Sequence, residues 1–385
     1  MKTFAQGINV SGWGAVKAGT QCLVDAVKTD MYRHLGFPQV LPTMVAMKVT
    51  FKCNSRCTTC YIWQNYLREP EKVKEEMTFD EFLQFMKVNP HMRDVALSGG
   101  EPFCRDDIGD MWKVLDDYGY RTGGNTNAVD IDHIMREESA ILKRLSGKNI
   151  RYLTISTDGI GDAHDKIRGV KGNFDNTMKL LAWCQEREKE YPFYSVGLSY
   201  TISPENVDDF PGFIDFALSK GVDPYRINFR TVQEAVVLCR NTGKVDPFSH
   251  AERVIAAIEK VQAAHPEFKH RYFVEGIKQY MRNPEKLVIP CYMGYTGMFI
   301  DPYWNVYACP FIDEVVCNLK DYDFSLKKAW ECAEVKKTQQ QIKSGDCYNC
   351  WGGCTAVKSA VSGVGNLLRL GWVEKWRLLG MGKKR

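Results

Sequence analysis

Residues 53–60 read CNSRCTTC, which places the thiols of Cys53, Cys57 and Cys60 at C-x3-C-x2-C spacing. The segment before them, 44–50, reads MVAMKVT and is predicted to form a strand that runs straight into this cysteine loop. Three thiolates on one short loop can ligate three irons of a [4Fe–4S] cube and leave the fourth iron without a protein ligand. Structural zinc is the alternative, but it takes four ligands and usually pairs C-x2-C units. The spacing therefore favours an iron–sulfur cluster.

Strand-like and helix-like segments alternate beyond this loop. The predicted strands are 44–50, 94–98, 121–126, 152–157, 195–202 and 225–229, and helices are predicted near 106–119, 131–146, 175–187 and 206–219. Thr78, with Glu81 three residues on, forms a capping-box signature that predicts the start of another helix. This alternation predicts an α/β fold with a parallel sheet covered by helices. In such sheets ligands lie at the carboxyl ends of the strands, so the residues just after each strand are the candidates for chemistry.

Four motifs at predicted strand ends together resemble the radical S-adenosylmethionine (SAM) superfamily. They are the CNSRCTTC loop, Gly99-Gly100-Glu101-Pro102, Thr126-Asn127, and a run from Ser156-Thr157-Asp158-Gly159 through His164-Asp165 and Arg168-Gly169 to Gly172-Asn173-Phe174. The resemblance covers 44–230 and implies a (β/α)6 partial TIM barrel. It also implies that SAM chelates the unligated iron and is cleaved by one electron, which an external donor such as flavodoxin or ferredoxin supplies.

The resemblance assigns a role to each strand-end motif. It implies that Gly99, Gly100 and Glu101 face the methionyl amino group of SAM, with Pro102 fixing the turn. Ser156 and Arg168 match positions that hold the carboxylate or ribose, and Asn127 matches a position near the nucleoside. The fork of an Arg side chain suits a carboxylate because it donates two hydrogen bonds.

One motif allows another interpretation, and one position departs from the family pattern. His164 with Asp165, taken alone, reads as the solvated start of a helix. The residue before the third cysteine, usually an aromatic that packs on adenine in the family, is Thr59 here. We expect Tyr61 to supply the adenine contact instead.

A second cysteine group lies near the end of the chain. Its members are Cys291, Cys309, Cys347, Cys350 and Cys354. Two cysteines that flank a predicted hairpin, followed by a C-x2-C pair, resemble the Twitch domain, a shortened form of the SPASM auxiliary-cluster domain. The resemblance implies one auxiliary [4Fe–4S] cluster on Cys291, Cys309, Cys347 and Cys350, with Cys354 as a competing ligand. Zinc is a stronger rival here, because this spacing also suits a tetrahedral thiolate site.

These patterns divide the chain into five parts. They are an amphipathic helical segment at 1–43, the radical SAM core at 44–230, a helical linker at 231–290, the auxiliary-cluster domain at 291–354, and a basic amphipathic tail at 355–385.

Apolar residues recur at helical spacing in both terminal segments. The stripes comprise Val16, Leu23, Val27, Met31 and Leu35 in the first segment, and Leu368, Trp372, Trp376 and Leu379 beside Lys and Arg in the last. Such stripes ordinarily face the core of the protein. Tryptophan beside basic residues is also the composition of a helix that lies on a membrane surface. Packing on the barrel and peripheral membrane contact therefore both remain open.

Composition narrows the class of protein. The chain has 385 residues, 14 cysteines and a formal net charge of +4, too small a charge for this length to indicate a nucleic-acid partner. The start MKTFAQGINV lacks the pattern of a secretion signal, and no segment approaches about 18 uninterrupted apolar residues. We therefore expect a cytoplasmic protein, located at the membrane surface if the tail binds lipid. In that reducing compartment clustered cysteines are metal ligands rather than disulfides.

The predicted activity is hydrogen abstraction by a 5′-deoxyadenosyl radical, followed by oxidation or bond formation on a substrate, with the auxiliary cluster relaying electrons. The substrate is a peptide, another small molecule, or a lipid or isoprenoid, and the sequence leaves these open. The residue after Cys309 is Pro310, whereas sulfatase-maturing relatives often have an acidic residue there, so that reaction is disfavoured. The non-enzyme alternative is an iron–sulfur or zinc scaffold that would not cleave SAM.

Overall fold

The structure is a computed structural model that describes residues 12–67, 69–268, 271–347 and 349–370. Its helices are α1 (Gly12–Leu35), α2 (Phe79–Val88), α3 (Ile108–Asp117), α4 (Ile131–Arg144), α5 (Asp162–Arg168), α6 (Asn173–Glu190), α7 (Phe210–Ser219), α8 (Val236–Cys239), α9 (Ala251–Ala264), α10 (Tyr272–Arg282), α11 (Leu326–Ala329), α12 (Ala333–Ser344), α13 (Gly353–Ser362) and α14 (Val364–Arg369). Its strands are β1 (Met44–Lys48), β2 (Asp94–Ser98), β3 (Thr122–Thr126), β4 (Arg151–Ser156), β5 (Tyr194–Ile202), β6 (Ile227–Thr231), β7 (Gly297–Ile300), β8 (Asn305–Tyr307) and β9 (Cys317–Asn318).

The six predicted strands all form, and they alternate with helices as the sequence indicates. Strands β3, β4, β5 and β6 make one parallel sheet in that order. A second sheet has the order β2-β1-β7-β8-β9, in which β1 runs parallel to both β2 and β7. Strands β2 and β3 are in contact and link the two sheets. This arrangement confirms the α/β class and the partial barrel, with the sheet divided between β2 and β3 rather than continuous.

Each strand has one face toward the helices and one toward the inside of the barrel. In β1, Val45 and Met47 are fully buried in the main hydrophobic core, whereas Ala46 and Lys48 point to the opposite, inner face. Ala46 packs there against a separate small cluster formed by Val237, Phe299 and Tyr307. Because the strands curve into a partial barrel, the side chains on their inner faces line a common lumen.

The predicted capping box at the start of α2 is confirmed. The Thr78 hydroxyl accepts from the Glu81 amide at 3.2 Å, and the Glu81 carboxylate accepts from the Thr78 amide at 3.0 Å. The same carboxylate accepts from the indole nitrogen of Trp304 at 3.0 Å. The cap of α2 is therefore also a contact between the barrel and the cysteine-rich extension.

The extension adds directly to the barrel sheet. Strand β7 pairs with β1 in parallel, and β7 and β8 form the antiparallel hairpin that the sequence predicts between Cys291 and Cys309. The side chain of Asp301 accepts from the amides of Tyr303, at 2.8 Å, and Asn305, at 3.0 Å, which closes the hairpin turn. The strand that follows the linker thus brings the second cysteine group to the edge of the radical SAM core.

Helix α1 forms as predicted, and of the two interpretations left open for its apolar stripe, the one in which the stripe packs on the core does not hold for Leu23, Val27 and Leu35. Leu23 and Val27 are 51% and 43% exposed, and Leu35 is 62% exposed. The buried face carries Ala26 and Tyr32 instead. The stripe faces outward because the small and polar residues of the helix are the ones that meet the C-terminal helices α13 and α14.

Polar contacts explain why α1 presents this face. Asp30 accepts from the Tyr292 hydroxyl and, at 2.9 Å, from the Val364 amide. The hydroxyl of Tyr32 donates to Gln339 at 3.4 Å. These bonds attach the first helix to the extension. The tail stripe beyond Leu370 lies outside the described residues, and among the helices that are described none is long and apolar enough to cross a bilayer.

Candidate active site

The cysteine loop follows β1 and is held on one side by the end of helix α5. The amides of Arg56 and Thr58 donate to the carbonyls of Arg168 and Ile167 at 3.0 and 2.9 Å. The Ser55 hydroxyl also donates to the Arg168 carbonyl, at 2.9 Å. A helix C-terminus leaves its last carbonyls without intrahelical partners, so the loop satisfies them. These bonds fix the course of the chain between the cysteines.

The Gly-Gly-Glu motif holds the loop on its other side. The amide of Gly100 donates to Thr50 at 2.8 Å, and the amide of Glu101 donates to Lys52 at 2.8 Å. A Cβ atom on Gly100 would lie 2.4 Å from the Lys52 carbonyl oxygen. In this structure the glycines are therefore required for close approach to the cysteine loop, whereas the sequence pattern indicated close approach to the methionyl group.

The structure brings the three predicted cluster thiols together, each with a polar neighbour. The Ser55 hydroxyl lies 3.2 Å from the Cys57 sulfur, and the Asn127 amide nitrogen lies 3.7 Å from the Cys53 sulfur. The Cys60 thiol hydrogen-bonds with the thiol of Cys239, which together with burial raises the pKa of Cys60. Burial also raises the pKa of Cys53 to about 12. Ligation of a metal cluster would therefore have to displace protons from these thiols.

Arg168 lies beside this cluster loop with 12% of its side chain exposed, and it carries an unused donor. Its Nη1 donates to Asp158 at 3.0 Å, and the other carboxylate oxygen of Asp158 accepts from the Thr201 amide at 2.8 Å. Cys57 and Cys53 lie close enough for their charges to act on the guanidinium. The Nε of Arg168 is buried without a hydrogen-bond partner in the described chain. A buried donor without a partner thus lies on a side chain beside the thiols of Cys53 and Cys57, a setting that suits an anionic ligand at the predicted cluster site.

His164 is fully buried, so the alternative interpretation of His164-Asp165 as a solvated helix start does not apply to the histidine. One ring nitrogen accepts from the Asp158 amide at 3.1 Å, and the other lies 3.0 Å from the side-chain oxygen of Asn173. The Asn173 amide group donates to the carbonyl of Asn127 at 3.0 Å. Burial lowers the pKa of His164, so the ring is neutral. Through these bonds His164 connects Asp158 after β4 with Asn173 at the start of α6.

Glu101 and Asn127 also form structural contacts. One carboxylate oxygen of Glu101 accepts from the Asn127 amide at 2.7 Å, and the Asn127 side chain donates to Asn54 at 2.7 Å. Burial raises the pKa of Glu101 to about 7. Pro102 begins a short 3₁₀ turn, and Ser156 lies half-buried at the end of β4 on the inner face. The motifs thus meet at one end of the barrel, as the sequence predicts.

Residues 233–241 cover the cysteine loop, and the sequence patterns did not indicate this contact. The Tyr61 amide donates to the Cys239 carbonyl at 2.7 Å, and the Asn241 side chain donates to the Thr59 carbonyl at 3.0 Å. Asn241 also accepts from the Ala235 amide at 2.8 Å. No spacing pattern marks this segment, which the sequence placed in a linker. The predicted contact between Tyr61 and adenine stays a prediction.

The four predicted auxiliary thiols are neighbours in the extension. Burial raises the pKa of Cys309, whose next-largest influences are the charges of Cys350 and Cys291, followed by that of Cys347. The Ser359 hydroxyl lies 3.8 Å from the Cys291 sulfur. The side chain of the competing Cys354 lies outside the described residues. Within the described ranges, no three His, Cys, Asp or Glu side chains close around a position for one metal ion.

Comparison with known proteins gives matches to enzymes of one superfamily. The chain is 32% identical to the Fe-coproporphyrin III synthase of Methanosarcina barkeri over 184 residues, which are 47% of this chain and 42% of that relative. It is 23% identical to the mycofactocin maturase MftC of Mycolicibacterium smegmatis over 339 residues, or 82% of this chain and 79% of the maturase. The chain therefore spans less than half of the first relative and most of the second.

The fold also matches solved structures. SuiB of Streptococcus suis, solved with bound S-adenosylmethionine, superposes with a TM-score of 0.59 at 15% identity, covering 90% of this chain and 80% of SuiB. At this identity the match shows the shared fold. The family model described as Radical SAM superfamily matches residues 47–217, the region that holds the cysteine loop and the other three strand-end motifs. Residues 47–217 therefore match the radical SAM superfamily.

Proposed function

We propose that this chain is a radical SAM oxidoreductase that abstracts a hydrogen atom from a substrate bound in the lumen of the barrel. The observation that carries the proposal is Arg168, whose buried Nε has no hydrogen-bond partner in the described chain and whose guanidinium lies beside the thiols of Cys53 and Cys57. When bound, the [4Fe–4S] cluster supplies one electron that cleaves SAM to a 5′-deoxyadenosyl radical. Cys53, Cys57 and Cys60 would hold that cluster.

Protein side chains would position SAM at this end of the barrel. Arg168 is already oriented by Asp158, so its remaining donor can bind the SAM carboxylate with little loss of side-chain freedom. Ser156 offers a hydroxyl at the end of β4, the strand that precedes the helix of Arg168. The Gly99–Glu101 backbone lies against the cysteine loop, where the resemblance places the SAM amino group. Asn127 holds the loop through Asn54 and Cys53.

Four thiols of the extension, those of Cys291, Cys309, Cys347 and Cys350, would hold one auxiliary [4Fe–4S] cluster. Their mutual proximity and the hydroxyls of Ser359 and Thr355 beside the sulfurs support this ligand set. The cluster's expected role is to accept an electron from the substrate radical. An external donor such as flavodoxin or ferredoxin would supply the catalytic cluster.

A polar substrate fits the lumen better than a purely apolar one. The inner faces of β4, β5 and β6 carry Thr154, Ser156, Ser199, Thr201 and Asn228. SuiB has been solved with the precursor peptide SuiA, and MftC is named a maturase, so a peptide is one candidate. The porphyrin named for the Methanosarcina relative is a small-molecule candidate.

Cleavage of SAM tests the proposal. Anaerobically reconstituted protein with dithionite should release 5′-deoxyadenosine, and the Cys53→Ala variant should release none. Cys184→Ala is the matched control, because Cys184 is buried in the helix-side core and should be dispensable for the cluster. A scaffold without radical chemistry predicts no 5′-deoxyadenosine from any of the three proteins, and that result would reject the proposal.

Peripheral membrane contact is a second proposal, carried by the exposed apolar side chains of α1. Leu23, Val24 and Val27 are exposed on one side of this helix, and Leu368 of α14 is 75% exposed. Helices α1 and α14 are in contact. The chain beyond Leu370 combines Trp and Leu with Lys and Arg, which is the composition of an interfacial segment.

A further inference from the structure

Lys48 places a cation inside the barrel, close to the cluster thiols. It is the last residue of β1 and lies on the inner face, because Val45 and Met47 occupy the face that packs on the helices. Only 4% of the residue is exposed, and its Nζ donates to the Gly99 carbonyl at 3.3 Å. Burying an ammonium group costs free energy unless other groups offset its charge. A lysine on the inner face of β1 therefore indicates a role in the lumen rather than in packing.

Arg230 lies on β6, an edge strand of the other sheet, and faces the same lumen. In β6, Phe229 points outward and packs on Phe210, with ring centroids 4.9 Å apart. Asn228 points inward, since its side chain donates to the Tyr152 hydroxyl at 3.0 Å across the inner face. Side chains alternate along a strand, so Arg230 shares the inner face with Asn228. Its side chain is exposed.

Both cations lie on the inner face toward the carboxyl ends of their strands, the end of the lumen that carries the cluster loop. Burial lowers the pKa of Lys48, the charges of the Cys60, Cys239 and Cys53 thiols act against this, and the charge of Arg230 lowers the pKa further. Both positive charges also act on the thiol of Cys239, a partly buried residue of α8. Two positive charges that face a common space repel one another, and an anion between them would remove that repulsion.

We propose that Lys48 and Arg230 bind a carboxylate of the substrate at the cluster end of the lumen. The inference rests on the proposed function and names the chemical class of its substrate as anionic. An Arg fork and a Lys ammonium are suited to a carboxylate. Arg168 lies at the end of α5 and is paired with Asp158, so it serves the SAM carboxylate from a separate element. The competing role for the two cations is to balance the charge of the catalytic cluster.

Alkylation of Cys239 tests this site in reconstituted protein, because the predicted cluster ligands are then blocked. Iodoacetate is the anionic probe and iodoacetamide its neutral counterpart. For each cysteine we compare the alkylation rate with iodoacetate to the rate with iodoacetamide. This rate ratio should be about tenfold higher at Cys239 than at Cys332, because a cleft lined by charges of one sign concentrates counter-ions to that extent. Cys332 is the control thiol, since it lies beside Glu334 and away from the lumen. Glutarate, a dicarboxylate, should protect Cys239 and leave Cys332 unaffected.

Variants assign the effect to the two cations. Lys48→Gln and Arg230→Gln should each lower the Cys239 ratio toward that of Cys332, whereas Arg230→Lys should preserve most of it. If Lys48→Gln does not fold, the exposed Arg230 carries the test. The proposal is overturned if the ratio is unchanged in Arg230→Gln, if neither reagent labels Cys239 while Cys332 reacts, or if the variants change only the cluster's midpoint potential. SAM cleavage by the unaltered enzyme is scored separately, so a failure of the anion site is distinguishable from a failure of the radical chemistry.

Discussion

Gly169 lies so close to Arg56 that a Cβ atom on Gly169 would stand 2.6 Å from the Arg56 carbonyl oxygen. Gly169 also has a φ of +65°, which ends helix α5 in the left-handed conformation. The end of α5 can therefore approach the cysteine loop closely enough to accept its amides. On this side, the position of the cluster loop therefore depends on Gly169.

Replacing Gly169 with Ala should reduce the iron bound by the protein. The added methyl group must displace the Arg56 carbonyl, which would disturb the loop that carries the three thiols. Gly119→Ala is the matched control, because Gly119 has a φ of +80° and its added methyl group would meet no neighbouring side chain or strand within 4 Å. Both variants should lose about 1 kcal/mol from the left-handed backbone. Iron analysis after reconstitution should show a loss in Gly169→Ala alone, and equal iron in both would contradict the role given to this contact.

The sequence was sufficient to predict how the strand-end motifs are arranged. The cysteine loop, Gly99-Gly100-Glu101 and the Ser156–Arg168 run each follow a strand, and parallel strands bring their carboxyl ends together. The structure therefore confirms that they meet. The gathering of Cys291, Cys309, Cys347 and Cys350 likewise follows the predicted hairpin.

Other parts of the site could not be read from spacing. Residues 233–241 show no apolar periodicity, so nothing in the sequence distinguishes Asn241 from other asparagines. Its bond to Thr59 forms only because this segment folds back over the cysteine loop. The apolar stripe of α1 indicated a core-facing helix, yet Leu23 is exposed because polar bonds of Asp30 decide which face packs. Apolar periodicity predicts that a helix has an apolar and a polar face, but the neighbouring elements that the helix contacts decide which face is buried.

Reconstituted protein should hold about eight irons per chain, the sum of two [4Fe–4S] cubes. Replacing Cys53, Cys57 and Cys60 together with Ala should leave about half of that iron, held by the extension. The remaining cluster should not support cleavage of SAM, because all four auxiliary thiols would occupy its irons. Loss of all iron from the folded triple variant, or tetrahedral zinc in the extension by X-ray absorption, would contradict an auxiliary cluster.

Arg168→Ala should weaken SAM binding and leave the visible absorbance of both clusters intact. The variant removes a donor from the pocket but no cluster ligand. It also leaves Asp158 buried without its ion-pair partner, which destabilises the fold by about 3 kcal/mol or more. Asp158→Asn is therefore the control, since it breaks the same ion pair and retains the guanidinium. SAM affinity should fall much more in Arg168→Ala than in Asp158→Asn, and equal affinities would mean that Arg168 has a structural role only.

Glu101 should make the stability of the reduced, cluster-free chain depend on pH. Burial raises its pKa from an ordinary value of 4.5 to about 7, so the folded chain retains this proton while the unfolded chain loses it. Stability should therefore fall as pH rises from about 4.5 to 7 and then level off, with a loss of roughly 3 kcal/mol at 1.36 kcal/mol for each pKa unit. In Glu101→Gln this part of the slope should be missing. Urea unfolding of both proteins across this pH range gives the difference, and parallel curves would show that Glu101 ionises normally.

The exposed face of α1 should bind vesicles together with the tail. Leu23 and Val27 are exposed on this helix, and α14, which leads into the basic tail, packs beside it. A Leu23→Ser, Val27→Ser double variant should reduce co-sedimentation with vesicles that contain anionic lipid, because it removes apolar surface from the binding face. Gln21→Ser is the control for an exposed change on the same helix that alters neither the apolar side chains nor the net charge.

A chain that ends at Leu370 separates the tail from the helix. It retains α14 and the bond between Asp30 and the Val364 amide, so α1 keeps its position. If the basic tail supplies the attraction to anionic lipid, the shortened chain should bind less tightly and should lose the weakening of binding by salt, since that dependence comes from charge. Binding by the full chain that neither the double variant nor the truncation reduces would place the contact elsewhere. No binding by the full chain would remove the case for a membrane-bound substrate and favour peptides and small molecules.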